Sequence, residues 1–234
     1  VLLIIKGQGK RSDLSESIRV LEKTKSVKRA ALSHPETFVK YHNGLKALHR
    51  IMLAPRKRSD PVLSVWLKGP TGIGKTTGIC QLLESKGVPE DWYYIWSPKS
   101  TGMWFEGYEG QRIIILDELS AKAPIQTLLR LMQPLPMEIA IHNNTVPCCA
   151  SVIFVTTNVS METMFLGVPE EQVDALKRRV TAPFGYTLEA DVAQEIKALP
   201  YAERTGRMAD VLEMAVEEHD AWINLLAEVA LVED

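Results

Sequence analysis

Gly69-Pro70-Thr71-Gly72-Ile73-Gly74-Lys75-Thr76 meets every position of the Gly-x-x-x-x-Gly-Lys-[Ser/Thr] phosphate-loop pattern. It follows a short β-rich run at 62–67 and leads into a helical pattern at 73–83. In such a loop the glycines let the backbone wrap so that successive N–H groups face phosphate oxygens, and the helix N-terminus adds positive potential. Lys75 is expected to reach the β- and γ-phosphates of ATP and Thr76 to ligate Mg²⁺. Thr77 completes the expected nucleotide-binding run 69–77.

Working outward, Ile113-Ile114-Ile115-Leu116-Asp117-Glu118 is an apolar strand ending in two carboxylates. Asp117 is placed to serve the magnesium site with Thr76, and Glu118 to polarise an attacking water. The bland alternative is an acidic pair capping the next helix. The extra glutamate suits hydrolysis by water better than transfer to a small metabolite. A further strand, Val152-Ile153-Phe154-Val155-Thr156, leads through Thr157 to Asn158. At the C-terminal edge of a sheet, where ligands collect, its amide can contact a γ-phosphate; a strand-terminal Asn is otherwise a turn residue. Arg178 and Arg179 end a helical pattern at 170–180, where bidentate donors can stabilise a transferred phosphoryl group, in a neighbouring subunit if the chain forms a ring. Arg179 is the slightly preferred finger; both arginines could equally solvate a helix end.

Strands at 92–96, 113–116 and 152–156, helices at 73–83, 124–132 and 170–180, and long connections predict an α/β fold with a mostly parallel sheet covered on both faces. The run at 137–146 reads as a hairpin turning at Asn143-Asn144. Residues 13–58 carry helical patterns only, with Leu14, Ile18 and Leu21 on one face of the first and Phe38, Leu45, Leu48 and Met52 on one side of the second. The expected division is a strand remnant and linker at 1–12, a helical domain at 13–58, the nucleotide domain at 59–187 and an acidic helical extension at 188–234. Val1-Leu2-Leu3-Ile4-Ile5 reads as the end of a strand, which predicts an upstream region.

The net charge of −2 conceals a polarity. Residues 1–60 hold 14 Lys+Arg against 5 Asp+Glu, whereas 188–234 hold 3 against 12. A basic front suits a polyanion or a solvated helical surface, and the overall acidity argues against a protein that coats nucleic acid non-specifically. Three cysteines (Cys80, Cys148, Cys149) form neither a zinc pattern nor a disulfide framework, which predicts a reducing compartment. No stretch approaches the roughly 18 apolar residues of a membrane span.

Several runs, in order, resemble one family: Gly9-Lys10-Arg11-Ser12-Asp13-Leu14, His34-Pro35-Glu36-Thr37-Phe38-Val39-Lys40-Tyr41-His42, Gly44-Leu45, the phosphate loop, and Gly102-Met103-Trp104-Phe105-Glu106-Gly107-Tyr108-Glu109-Gly110-Gln111. Pro134-Leu135-Pro136-Met137-Glu138, Thr145-Val146-Pro147, Thr156-Thr157-Asn158 and Ala175-Leu176-Lys177-Arg178-Arg179-Val180 continue it to about residue 184. The family is the replication-associated proteins of circular single-stranded DNA viruses, circovirus-like, and related plasmid initiators. Their motor half is a superfamily 3 helicase with a P-loop, AAA+-like core.

The resemblance implies a homo-hexameric ring assembled by the helical region, which hydrolyses ATP with Mg²⁺ and moves along single-stranded DNA. It further implies a hairpin loop touching DNA through His142, Asn143 and Asn144. Relatives often place a lysine and two glycines there, so His142 either stacks on a strand or faces water. Trp104 and Tyr108 are expected to support the nucleotide pocket, and Glu106 is assigned no chemistry. An N-terminal HUH-type nuclease, with a metal-binding histidine pair and a nicking tyrosine, is implied before Val1; Tyr41 and His42 are not its counterparts. The implied location is a host nucleus for a eukaryotic virus and otherwise the cytoplasm, with no membrane partner. A viral RNA helicase, a packaging ATPase and an ATP-dependent assembly module are the rival readings.

Overall fold

A computed structural model describes residues 12–98, 102–120, 123–142, 144–183 and 185–233. The expected strand remnant and most of the linker at 1–12 lie outside the described residues, as does Asn143. Two compact units divide the chain, residues 1–53 and 54–234.

The first unit is helical: α1 (Ser12–Thr24), α2 (Val27–Ser33) and α3 (Pro35–Met52). Leu21, Val27, Ala30 and Leu45 form its buried centre, with Leu14, Ile18, Phe38 and Leu48 packed around them. Ser26 caps α2 by accepting the Arg29 N–H, and Pro35 opens α3, where a missing N–H costs nothing. Helix α2 is absent from the sequence reading, because seven residues show too little periodicity to stand out.

The second unit holds β1 (Leu63–Lys68), α4 (Lys75–Ser85), β2 (Tyr93–Trp96), β3 (Ile113–Leu116), α5 (Ile125–Leu131), β4 (Glu138–Ile141), β5 (Asn144–Pro147), β6 (Val152–Thr157), α6 (Met161–Met164), α7 (Glu170–Arg179), β7 (Gly185–Thr187), α8 (Ala190–Ala198), α9 (Tyr201–Val216) and α10 (Asp220–Glu233). Five strands pair in the order β2-β3-β6-β1-β7, all parallel. The order sets β6 between the phosphate-loop strand and the Asp-Glu strand, the arrangement of the expected AAA+-like P-loop core. Continuous apolar runs such as Ile113–Leu116 and Val152–Thr157 are buried along their whole length, as a sheet covered on both faces requires. Strand β7 escaped the sequence reading because only three residues mark it.

One face of the sheet, carrying Leu63, Val65, Leu67, Ile113, Ile115, Val152 and Phe154, shares a single core with Ile196, Met208, Leu212, Trp222, Leu225 and Val229. The other alternation, Trp66, Ile114, Ile153 and Val155, is buried too. The acidic extension expected at 188–234 is therefore not a separate part: α8, α9 and α10 close the face of the nucleotide domain. The boundary expected after residue 58 also shifts, because Arg56 is buried in the second unit and donates to the Leu131 and Ala150 carbonyls. Gly78 shows how tightly the extension docks, since a Cβ there would lie 2.6 Å from Met208 Cγ.

Beside the main sheet, β4 and β5 form an antiparallel ribbon in which Ile141 pairs with Asn144. Asn144 thus belongs to the ladder and not to the expected turn at Asn143-Asn144, because pairing continues one residue closer to the tip. Among the described residues no helix is long and apolar enough to cross a membrane. The three cysteines are free thiols, Cys148 and Cys149 buried.

Trp222 is 1% exposed within the core shared by sheet and extension. Trp222→Ala should lower unfolding stability by about 3–5 kcal/mol in urea titration. A loss below about 1 kcal/mol would mean that the extension is dispensable to the core.

Candidate nucleotide site

The parallel register decides which side chains meet. Leu116 pairs with Val155 and Lys68 with Thr157, so the strand ends that carry Asp117, Asn158 and the loop line up on one edge. The Gly69 N–H donates to the Thr157 carbonyl and starts the loop beside β6. Gly74 carries φ +82°, and a Cβ there would lie 3.1 Å from Thr205 Cα, so the loop needs glycine on both counts.

The Lys75 ammonium donates to the Gly69 carbonyl (2.8 Å), the Pro70 carbonyl (3.1 Å) and Asn158 Oδ1 (2.8 Å). The Asn158 amide group donates in turn to Thr71 Oγ1 at 3.2 Å. Burial pulls the Lys75 ammonium below its ordinary value; Asp117 and Glu118 oppose this, and Lys197 adds to it. The Thr76 hydroxyl donates to Asp117 Oδ1, and Thr156 Oγ1 donates to the same oxygen at 2.9 Å. Thr156 Oγ1 also accepts the Glu118 N–H at 2.9 Å, while the Thr156 carbonyl accepts the Leu119 N–H at 2.8 Å. These bonds hold Glu118 at φ +50°, a left-handed conformation that costs about 1–2 kcal/mol for a side-chain-bearing residue. Its carboxylate projects into the cleft, exposed, with Thr71, Gly72, Lys75, Thr76 and Asn158 around it.

Expected residues 69–77, Asp117, Glu118 and Asn158 thus gather at one edge, except that Ile73 is fully buried and packs under the loop instead of facing the cleft. Arg178 and Arg179 stand on α7 and are not in the cleft lining. Arg179 is half-buried and donates to the Ala175 carbonyl of its own helix and to Gln133 Oε1, whereas Arg178 is exposed. The Arg179 guanidinium, the slightly preferred finger, is thus engaged within its own chain, and the Arg178 side chain is the more exposed of the two.

Several contributors were missed. Thr156 ties Asp117 to Glu118, and its place at a buried strand end carried no chemical signal. From the extension, Lys197 donates to the Thr71 carbonyl (2.7 Å), Arg204 to the Gly72 carbonyl (3.0 Å), and Thr205 Oγ1 meets Thr77 Oγ1 at 3.2 Å. The available signal was that 188–234 contains only three cations, Lys197, Arg204 and Arg207.

The ribbon is a second locale. The Glu106 carboxylate accepts the His142 N–H, the Phe105 N–H donates to the Ala140 carbonyl (3.0 Å), and Tyr94 donates its hydroxyl to the Glu106 carbonyl (2.9 Å). Burial, then the Glu106 charge, pushes the Tyr94 phenol up to about 12. Trp104, 42% exposed, meets the exposed His142 ring edge-on at 6.4 Å. Tyr108 is buried and bonded to Gln111 and Cys149. Neither aromatic lines the nucleotide cleft; the 102–111 segment packs along the ribbon. Asn144 is exposed at the start of β5.

The family model described as RNA helicase matches residues 65–159. The replication-associated protein of Porcine circovirus 1 is 32% identical over 176 residues, covering 75% of this chain and 54% of that protein. That of Porcine circovirus 2 is 30% identical over 177 residues (76% and 54%), and that of Pigeon circovirus 29% over 178 residues (75% and 52%). The chain spans about half the length of the curated relatives it matches. A closed-state cryo-EM reconstruction of Hsp104 with ATPγS and casein overlaps at a TM-score of 0.31 and 14% identity, over 94% of this chain and 48% of that one. The fold assignment rests on the strand order instead. With the phosphate loop, the Asp-Glu strand and the Thr-Thr-Asn strand side by side, the chain is similar to the circovirus replication-associated proteins over about three quarters of its length, and the helicase match lies inside its second unit.

Proposed function

We propose that this chain is an ATP-hydrolysing motor that moves along single-stranded DNA as a ring of subunits during viral replication. The observation that carries the reading is the convergence of Lys75, Glu118 and Asn158 on one cleft, with Asp117 bonded to the cleft residue Thr76, through contacts spanning 83 positions for Lys75–Asn158 and 41 for Thr76–Asp117. A structural loop has no need of an ammonium, two carboxylates and an amide on the same edge.

The loop N–H groups and Lys75 would bind the ATP phosphates, for which the ammonium exchanges its carbonyl partners because phosphate oxygens are stronger acceptors. Thr76 and Asp117 supply two adjacent hard oxygens, a donor set that suits Mg²⁺. Among the described residues no group of three or more His, Cys, Asp or Glu could hold a metal, which also suits an ion that takes few protein ligands and shares the phosphates. Bound there, Mg²⁺ supplies charge neutralisation of the phosphate oxygens. Glu118 takes the proton of the attacking water, and Asn158, between Lys75 and Thr71, senses the γ-phosphate end. Arg178, exposed on α7, completes a neighbour's site. His142, with Trp104 beside it, and Asn144 form the surface that meets DNA.

The reading predicts steady-state ATP hydrolysis that single-stranded DNA stimulates and that rises cooperatively with protein concentration. Lys75→Ala should abolish it. Glu118→Gln should keep ATP binding while lowering turnover by about 10²–10⁴-fold. Turnover indifferent to DNA and to concentration would overturn the shared-site motor.

Arg178→Ala should lower turnover by about 10³-fold or more, with ATP affinity kept. Mixing it with Lys75→Ala chains should restore part of the activity, since each supplies what the other lacks; no recovery would count against a finger acting across subunits. The matched family's description names RNA, so single-stranded RNA belongs in the same assay. Stimulation by RNA alone would move the assignment to an RNA motor.

A further inference from the structure

Helix α9 begins with Tyr201, a ring left 77% exposed, and this ring lines the same cleft as Thr71, Gly72, Gly74, Lys75 and Thr77. An exposed aromatic at a helix start is ordinarily free to swing. Tyr201 is braced instead by Arg204, whose guanidinium carbon lies 5.7 Å from the ring centroid. Arg204 is itself fixed at three points: the ring, the Leu199 carbonyl (3.0 Å) and the Gly72 carbonyl of the phosphate loop (3.0 Å). One side chain therefore couples the orientation of the ring to the position of the loop. Thr205, one residue on, touches Thr77.

Asp117, Glu118 and Asn158 all come from the ends of β3 and β6 and handle phosphate chemistry. A nucleoside triphosphate laid in the loop still needs a surface for its base, and α9 brings a braced aromatic face to the loop. We propose that Tyr201 is the base-stacking platform of the nucleotide site, with Arg204 as its positioning residue. The site then takes nucleoside triphosphates by the face of the base more than by its edge. The inference rests on the nucleotide-binding reading above and adds to it how the base is received. Stacking is tolerant of base identity because every base presents a π-face, so ATP and GTP bind with similar strength. The same bracing makes the acidic extension part of the site, with Lys197 and Arg204, two of its three cations, directed to the phosphate loop.

The test is calorimetric titration of the chain with Mg-ATP, Mg-GTP and inorganic tripolyphosphate, comparing wild type, Tyr201→Ala and Tyr201→Phe. Tyr201→Ala should weaken ATP and GTP alike by about tenfold while leaving tripolyphosphate binding unchanged. Tyr201→Phe, which keeps the ring, should bind as wild type does. Equal losses for ATP and tripolyphosphate in Tyr201→Ala would assign the residue to loop support and overturn the platform, as would no loss at all. A loss for ATP with none for GTP would overturn reading by the face. Wild-type chain that binds none of the three probes would overturn the nucleotide reading itself, a result distinct from any of these.

Discussion

Strand β6 hydrogen-bonds to β3 on one side and to β1 on the other, and the cleft depends on that double pairing. The phosphate loop leaves β1 and the two carboxylates leave β3, so without β6 between them they would be neighbours with nothing to read their spacing. With β6 in place, the ends of three parallel strands form one edge, and the register sets Asp117 beside Thr156 and Gly69 beside Asn158. All six residues of β6 are buried, which is the condition for a central strand to hold a fixed register against two partners.

Much of this was legible locally. Phosphate loops, apolar strands ending in carboxylates and a strand ending in Asn each combine a pattern of burial with a chemical side chain, and each was found where it was expected. The components that went unread are those whose meaning is a partner far along the chain. Thr156 reads as one more β-branched strand residue, yet its hydroxyl links Asp117 to the Glu118 backbone. Glu106 is assigned no chemistry from sequence, yet it accepts the His142 N–H across 36 positions. Helices α8 to α10 show amphipathic patterns that announce burial without naming the surface they cover. Their apolar faces fit the sheet as well as they would fit a separate bundle, and only the packed core distinguishes the two.

Charge placement follows the same logic. A segment with twelve acids and three bases is a poor neighbour for a polyanion in bulk terms. Its cations, however, are not scattered: Lys197 and Arg204 bond to phosphate-loop carbonyls, and Arg207 pairs with Glu195. These two cations therefore stand beside the loop whatever the net charge of the segment, and exposed acids farther off than about 10 Å are largely screened from it. Glu213 with Lys86 and Glu228 with Arg112 use two of the acids to tie the extension back to the sheet unit. Being partly exposed, such pairs add little stability, so the docking rests on Trp222, Leu225 and Met208.

Glu118 brings these threads together. A left-handed residue between a catalytic-type strand and a buried leucine is an improbable resting conformation, and it persists only because its surroundings over-determine it. Thr156 supplies two of those constraints, one through its hydroxyl and one through its carbonyl, and Leu119 at 2% exposure anchors the next residue in the core. Thr76 and Thr156 both donate to Asp117 Oδ1, so the Asp117 carboxylate is fixed from α4 and from β6 at once. A shift of β6 relative to β1 would therefore move Asp117, the Glu118 backbone and Asn158 together. The strain at Glu118 is the local cost of turning a carboxylate out of the sheet edge into the cleft, and the buried strand beside it is what makes that cost bearable.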